Sequence, residues 1–173
     1  MATKRLPLAK PAAGAYARKL PHLQAPGRTI FITFVTWKRH VLPESVRQLV
    51  LNCCLHDHGI KYELHAAVVM PDHVHLLLTP NTDDEGNTYP LREILGGIKG
   101  SAAHAVNRAL GRKGRVWQAE SFDHILRSEE SARSKAEYIC DNPLRAGIVA
   151  EGESYPWRWT AWPEAAPTST ITR

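Results

Sequence analysis

Cysteine is scarce in this chain, acidic residues are missing from its opening stretch, and long hydrophobic runs do not occur. The 173 residues hold three cysteines, Cys53, Cys54 and Cys140. Two are adjacent and no C-x-x-C pair is present, so no disulfide framework is expected. That usage fits a reducing cytoplasm, which is where we expect the protein to act. No apolar run approaches the length of a membrane span, and no signal-peptide core is visible. The acid-poor start has some transit-peptide character. However, Pro7, Pro11, Pro21 and Pro26 would interrupt the amphipathic helix such a peptide needs.

Charge is distributed unevenly. The first acidic residue is Glu44, and before it stand Lys4, Arg5, Lys10, Arg18, Lys19, Arg28, Lys38 and Arg39. A second acid-free run holds Arg108, Arg112, Lys113 and Arg115. Clusters of this kind suit a polyanion such as nucleic acid, although a solvated face has the same composition. Lys38, Arg39, Lys99, Arg108, Arg112, Lys113 and Arg115 are candidate DNA contacts, of the phosphate-binding kind that gives affinity rather than sequence choice. Trp157, Trp159 and Trp162 could stack on exposed bases or pack in a core or lid.

The length suits one domain. Residues 1–28 read as a basic, Pro/Ala-rich, flexible arm, 29–162 as the domain and 163–173 as a tail. Residues 29–37 are rich in β-branched and aromatic side chains and predict a strand. A helix is expected from Pro43-Glu44 to about His58, with Val46, Leu49, Val50 and Cys53 as its apolar stripe. Residues 61–70 alternate, placing Tyr62, Leu64, Ala66, Val68 and Met70 on one face and Glu63 and His65 on the other. A second long helix runs from Pro90 to about Leu110, weakened by Gly96, Gly97 and Gly100, which predict a close backbone approach or a break. Val116 to Arg127 read as one strand or an irregular hairpin, with Trp117, Phe122, Ile125 and Leu126 in the core. The order strand, helix, two strands, helix, strand predicts an α+β fold, an antiparallel sheet with helices on one face.

The stretch Val68-Val69-Met70-Pro71-Asp72-His73-Val74-His75-Leu76-Leu77-Leu78 organises the rest. Alternation in a strand points Val74, Leu76 and Leu78 to one face, and His73, His75 and Leu77 to the other. Two imidazoles at that spacing can both turn a ring nitrogen to one divalent metal, with a third ligand needed from elsewhere. Two histidines on a solvated face need no ligand at all.

A second constellation follows. Ser128 can cap a helix whose buried stripe is Ala132, Ala136, Ile139 and Cys140. The opposite side carries Ser131, Ser134, Lys135, Tyr138, Asp141 and Asn142. Tyr138 therefore stands on a polar stripe, with Lys135 before it and Asn142 one turn after. Pro143 should end the helix near Asn142, leaving that residue at a frayed, adaptable end. Lys135 reads as a solvent lysine. With His73 and His75 the set supplies a nucleophile, two imidazoles and an amide oxygen, the parts for metal-assisted attack on a phosphodiester.

The two segments resemble the single-tyrosine HUH transposases. The histidine stretch is similar to their histidine–hydrophobic–histidine signature. Tyr138-Ile139-Cys140-Asp141-Asn142-Pro143-Leu144-Arg145-Ala146-Gly147-Ile148-Val149 resembles the nucleophile helix of the REP-associated tyrosine transposase branch. Phe34-Val35-Thr36-Trp37-Lys38-Arg39, Ile98-Lys99-Gly100, Val116-Trp117-Gln118, Phe122-Asp123-His124 and Tyr155-Pro156-Trp157 also match. The resemblance implies a ferredoxin-like, HUH palm-like domain in which His73, His75 and Asn142 hold Mg²⁺ or Mn²⁺. It implies that Tyr138 attacks single-stranded DNA near hairpins such as REP palindromes, leaving a 5′-phosphotyrosine and a free 3′-hydroxyl. It also implies a self-contained monomer, although related enzymes exchange the tyrosine helix within dimers. Asp72 stands where the family often has Asn, adding a carboxylate beside the histidines.

Competing readings are a relaxase-like or replication-initiator-like nickase, a hairpin-binding regulator with a lapsed site, and a structural zinc site using His73, His75 and Cys53 or Cys54.

Overall fold

The computed structural model describes residues 27–127 and 129–162. Most of the expected arm, Ser128 and the expected tail lie outside the described residues. In chain order the elements are β1 (Ile30–Thr36), a 3₁₀ turn (Trp37–Arg39), α1 (Glu44–Leu55), β2 (Tyr62–Val69), β3 (His73–Pro80), α2 (Leu91–Ala109), β4 (Trp117–Ile125), α3 (Glu129–Cys140), α4 (Asn142–Arg145) and β5 (Arg158–Thr160). The strands form one antiparallel sheet in the order β4-β1-β3-β2-β5. The α+β expectation, an antiparallel sheet with helices packed on it, is borne out. Among the described residues no helix is long and apolar enough to cross a membrane.

The helices do not share one face, which corrects the expected layering. Ile30, Ile32 and Phe34 of β1 and Val74, Leu76 and Leu78 of β3 are buried in a core with α1 and α2. Phe31 and Leu77 belong to a second core on the other face, built with Ala132, Ala136, Ile139 and Cys140 of α3. The reason is the small-residue stripe of α3, which packs against the equally slim Ala66 and Val68 of β2. Full burial of one leucine or isoleucine in either core is worth roughly 1.5–3 kcal/mol.

Strand β2 departs from strict alternation. Leu64 pairs with Leu78 and Ala66 with Leu77, so His65 is the extra residue of a bulge. Beyond the bulge the faces exchange. Tyr62, Leu64, Ala67 and Val69 belong to the α1–α2 core, while Ala66, Val68 and Met70 turn to α3. Helix α1 ends at Leu55 and buries Val46, Val50, Leu51 and Cys54. Cys53, the expected core cysteine, is only half-buried. The helix is rotated to bury Arg47, which donates from Nε to the Leu42 carbonyl at 3.0 Å and lies 4.7 Å from the Trp157 ring centre. Helix α2 runs unbroken through Gly96, Gly97 and Gly100, and a Cβ at any of the three would meet nothing within 4 Å. The glycines therefore permit no close approach between the described residues.

Residues 117–125 form one strand rather than a hairpin, with a register shift of the edge strand against Phe34 and Thr36. Lys99 braces the displaced backbone, its ammonium donating to the Gln118 carbonyl (2.8 Å), the Ala119 carbonyl (3.0 Å) and Ser121 Oγ (3.1 Å). Trp117 and Leu126 are buried as expected, but Phe122 is 40% exposed. It sits on the edge strand β4, beside Phe31 at the margin of the α3 face. The three-residue β5 is unheralded by any periodicity. It pairs with β2 through Ala66, Ala67 and Val68. Trp159 meets His58 edge-on and Trp162 stacks on His65, so these tryptophans have packing partners in the fold.

Candidate active site

The tight turn between β2 and β3 is held from both sides. The Met70 N–H donates to the His73 carbonyl (2.8 Å) and the Leu42 N–H to the Pro71 carbonyl (2.6 Å). The Thr36 N–H and hydroxyl both donate to the Asp72 carbonyl, at 2.9 and 3.0 Å. This fixes where β3 begins and hence the face on which His73 and His75 emerge.

The two rings converge. His73 Nε2 and His75 Nε2 are 3.1 Å apart. Each ring is held from behind: His73 Nδ1 lies 2.6 Å from Asp72 Oδ1, and His75 Nδ1 lies 2.8 Å from Thr33 Oγ1. Burial raises the Asp72 carboxyl, but the hydrogen bond with His73 and the charges of His73 and Arg39 more than offset it and hold it below its ordinary value. An ionised carboxylate only accepts, so the contact with Asp72 fixes a proton on His73 Nδ1 and favours the tautomer whose lone pair is at Nε2. Burial first, then the charges of His73 and Lys135, push the His75 imidazole down to about 3, so it is neutral at working pH.

These residues fit a divalent ion. Nitrogens 3.1 Å apart span an edge of an octahedron with bonds of about 2.1 Å. A carboxylate behind the ligating imidazole is the usual device for fixing tautomer and ring angle. Among the described residues no cluster of three His, Cys, Asp or Glu side chains completes such a site. The cysteine-assisted zinc reading fails, because Cys54 is buried, with Cys53 packed alongside, in the α1–α2 core across the sheet.

Tyr138 and Asn142 come from α3 and the start of α4. Asn142 is not frayed: its Nδ2 donates to the Tyr138 and Ile139 carbonyls, each at 3.2 Å. Its amide oxygen is therefore the atom turned away from the helix. Tyr138 is half-buried beneath two cations. The Lys135 ammonium lies 4.8 Å from its ring centre and the Arg145 guanidinium 4.3 Å. Lys135 is not a solvent lysine. Its ammonium is also 4.1 Å from the Phe31 ring centre, and burial lowers its pKa. Phe31 in turn stacks on His75, with centroids 5.5 Å apart. Lys135 thus links the histidine pair to the tyrosine.

The basic candidates divide into two groups. Arg39 makes a half-buried ion pair with Asp72 (3.1 Å), which places it directly behind His73. Lys38 is exposed, and both it and Arg39 have positive φ (54° and 58°), a conformation that costs a non-glycine residue roughly 1–2 kcal/mol. Arg115 lies 4.9 Å over the Trp37 ring, so Arg115, Trp37, Lys38, Arg39 and Asp72 form a path from the α2–β4 turn to the histidines. Arg108, Arg112 and Lys113 are exposed at the start of that path. Lys99 does not join it, because its donors are committed to β4 and burial lowers its pKa. An open groove of about 470 Å³ between α2 and β4 lies on the α1–α2 face, away from the histidines.

Sequence reasoning missed Thr33, Phe31 and the cation pair on Tyr138. The spacing of Lys135 to Tyr138 was visible. Thr33 and Phe31 require the β1–β3 register, in which Thr33 faces His75 and Phe31 faces Leu77.

The antiparallel sheet with helices packed on it is the fold of a solved REP-associated tyrosine transposase. One solved structure of such a protein, bound to a REP hairpin, aligns over 76% of both chains with a TM-score of 0.56 and 24% identity. By sequence the chain is 30% identical over 96 residues to a REP-associated tyrosine transposase of Escherichia coli strain K12. It is 26% identical over 106 residues to a candidate member from Haemophilus influenzae. Each match covers 56% of this chain, and 53% and 57% of the relatives, so the matched stretch spans about half of each relative's length. No family model matches. In sequence and in fold, then, the chain is similar to the family that its motifs resemble.

Proposed function

We propose that the protein is a metal-dependent single-stranded DNA endonuclease and strand transferase that acts beside DNA hairpins. The observation that carries this reading is the pair of imidazole nitrogens 3.1 Å apart, backed by Asp72 and Thr33 and linked through Phe31 and Lys135 to Tyr138. His73, His75 and the Asn142 oxygen would hold Mg²⁺ or Mn²⁺, an imidazole and amide set compatible with either ion. When bound, the ion supplies polarisation of the scissile phosphate and takes up charge developing in the transition state.

Tyr138 supplies the nucleophile. An ordinary phenol, with pKa near 10, costs about 4 kcal/mol to ionise at neutral pH, so cationic neighbours matter. Lys135 and Arg145 hold the ring and place positive charge where a substrate phosphate would arrive. The phenol oxygen forms a bond to phosphorus, the phenolic proton passes to solvent, and the bond from phosphorus to the 3′ oxygen breaks. That oxygen takes up a proton and leaves as the free 3′-hydroxyl, with the 5′-phosphate on Tyr138. The phosphotyrosine link retains the energy of the broken diester, so a 3′-hydroxyl can reverse the step and join new ends. Hairpin DNA as the partner is supported by the fold neighbour bound to a REP hairpin and by the basic path into the site.

The test is a denaturing gel of protein mixed with labelled single-stranded DNA carrying palindromes, with Mg²⁺, Mn²⁺ or chelator. A metal-dependent covalent band is expected from the parent chain and none from Tyr138→Phe, which should still bind the DNA. Cleavage that survives Tyr138→Phe would overturn the assignment. Hairpin binding with no adduct under any condition would favour a binding protein instead.

A further inference from the structure

We propose that Phe122 is a stacking platform for one base of the single strand that reaches the histidine pair. The proposal rests on the reading of this face as a single-stranded DNA site and adds how a base is held there.

Phe122 is 40% exposed, and it is the one aromatic among the exposed large apolar side chains of the described residues. Exposure of a phenylalanine on a sheet needs a reason, since burying it would be worth up to roughly 3 kcal/mol. The sheet register gives its position. Phe122 pairs with Thr33, and Thr33 pairs with His75 on its other side. The three residues form one row across β4, β1 and β3, so Phe122 and His75 are two strand spacings apart, about 10 Å. The contacts run the same way: Phe122 meets the Phe31 ring edge-on at 6.2 Å, and Phe31 stacks on His75 at 5.5 Å.

Charge identifies the occupant. The Lys135 ammonium lies 4.1 Å from the centre of that same Phe31 ring. An exposed aromatic ring one ring away from a cation suits a nucleotide, the base on Phe122 and the phosphate toward the ammonium. An apolar peptide would leave the ammonium uncompensated. The packed edge of Phe122 against Phe31 keeps the ring from collapsing into the site, and α3, packed over β2 and β3, leaves Phe122 on the edge strand exposed among the described residues.

The experiment measures binding, with chemistry switched off by Tyr138→Phe. The probe is a pool of labelled hairpins with a randomised single-stranded flank, and the same hairpins with every flank base removed but the phosphates kept. Phe122→Leu, which keeps apolar volume, should weaken binding of the base-bearing pool about tenfold. It should leave binding of the base-free pool unchanged, and Phe122→Trp should restore the parent affinity. Equal affinity of Phe122→Leu and the parent for the base-bearing pool would overturn the inference. So would an equal loss for both pools, which would mark Phe122 as structural. If those results came with an intact Tyr138-dependent adduct, the nuclease reading would stand without the platform. Failure of the parent chain to retain either pool would overturn both.

Discussion

At the scale of single residues, the candidate site depends on side chains that stand behind the histidines. Asp72 holds His73 and is in turn held by Arg39, while Thr33 holds His75. Loss of such a supporting partner weakens metal affinity about 10–100-fold, with the ligands left intact. Asp72→Asn and Thr33→Val are therefore expected to bind Mn²⁺ more weakly by that range. His73→Ala should lose the binding altogether. Calorimetric titration of each variant with Mn²⁺ checks this without reference to turnover, and parent-like binding by His73→Ala would remove that residue from the ligand set. Asp72 shows how far a residue's role could be read. Its identity and its place beside the histidines are plain in the sequence. That its carboxylate points back to a ring nitrogen and an arginine depends on the turn geometry set by Thr36 and Leu42, residues about 30 positions away.

At the scale of elements, the second strand and the first helix show why periodicity placed some faces and misplaced others. Strand β3 has no bulge, so its alternation transfers directly to the structure. Strand β2 carries one extra residue at His65, and a single insertion reverses every face beyond it. No local pattern announces that insertion, because beyond it both faces of β2 are apolar. The stripe of α1 is displaced by one residue for a related reason: burying Arg47 rotates the helix, and a buried arginine is the last thing an apolar stripe predicts. The glycines of α2 are another such case. Nothing occupies the space a methyl group would take at Gly97, and its backbone is helical. Gly97→Ala is expected to stabilise the fold by about 0.5–1 kcal/mol in urea denaturation. Lys99→Met is expected to cost about 2 kcal/mol, because it removes a charged donor from two carbonyls and a hydroxyl.

At the scale of the whole molecule, two tyrosines tie distant parts of the chain to the sheet. The buried Tyr62 hydroxyl donates to the Cys54 carbonyl at 2.8 Å, and that of Tyr155 to the Val69 carbonyl at 2.7 Å. Burial raises both phenols above their ordinary value. The charges of Cys54 and Asp57 add to the effect at Tyr62, and Arg47 partly opposes it at Tyr155. In the unfolded chain each ionises near pH 10. A folded-state pKa raised above that value means the folded form keeps protons that the unfolded form releases. The contribution to stability is thus complete below about pH 10 and falls as pH rises beyond it. Burial raises the Cys54 thiol as well, so urea unfolding is expected to show stability declining from about pH 8.5 and more steeply above about pH 10. Tyr155→Phe should cost about 1–2 kcal/mol at neutral pH, by stranding the Val69 carbonyl, and should flatten the alkaline decline.

Strand β3 separates two demands along six consecutive positions, His73 to Leu78. Val74, Leu76 and Leu78 serve the interior beneath α1 and α2, while His73 and His75 serve the opposite face. Substitutions at the first three are expected to lower how much folded protein a cell holds; on the proposed function, substitutions at the two histidines remove the chemistry. Selection for abundance and selection for reactivity thus act on interleaved residues that do not overlap. A lineage relieved of the need to cut DNA could drift at the histidines while its scaffold, and any hairpin binding built on that scaffold, persisted.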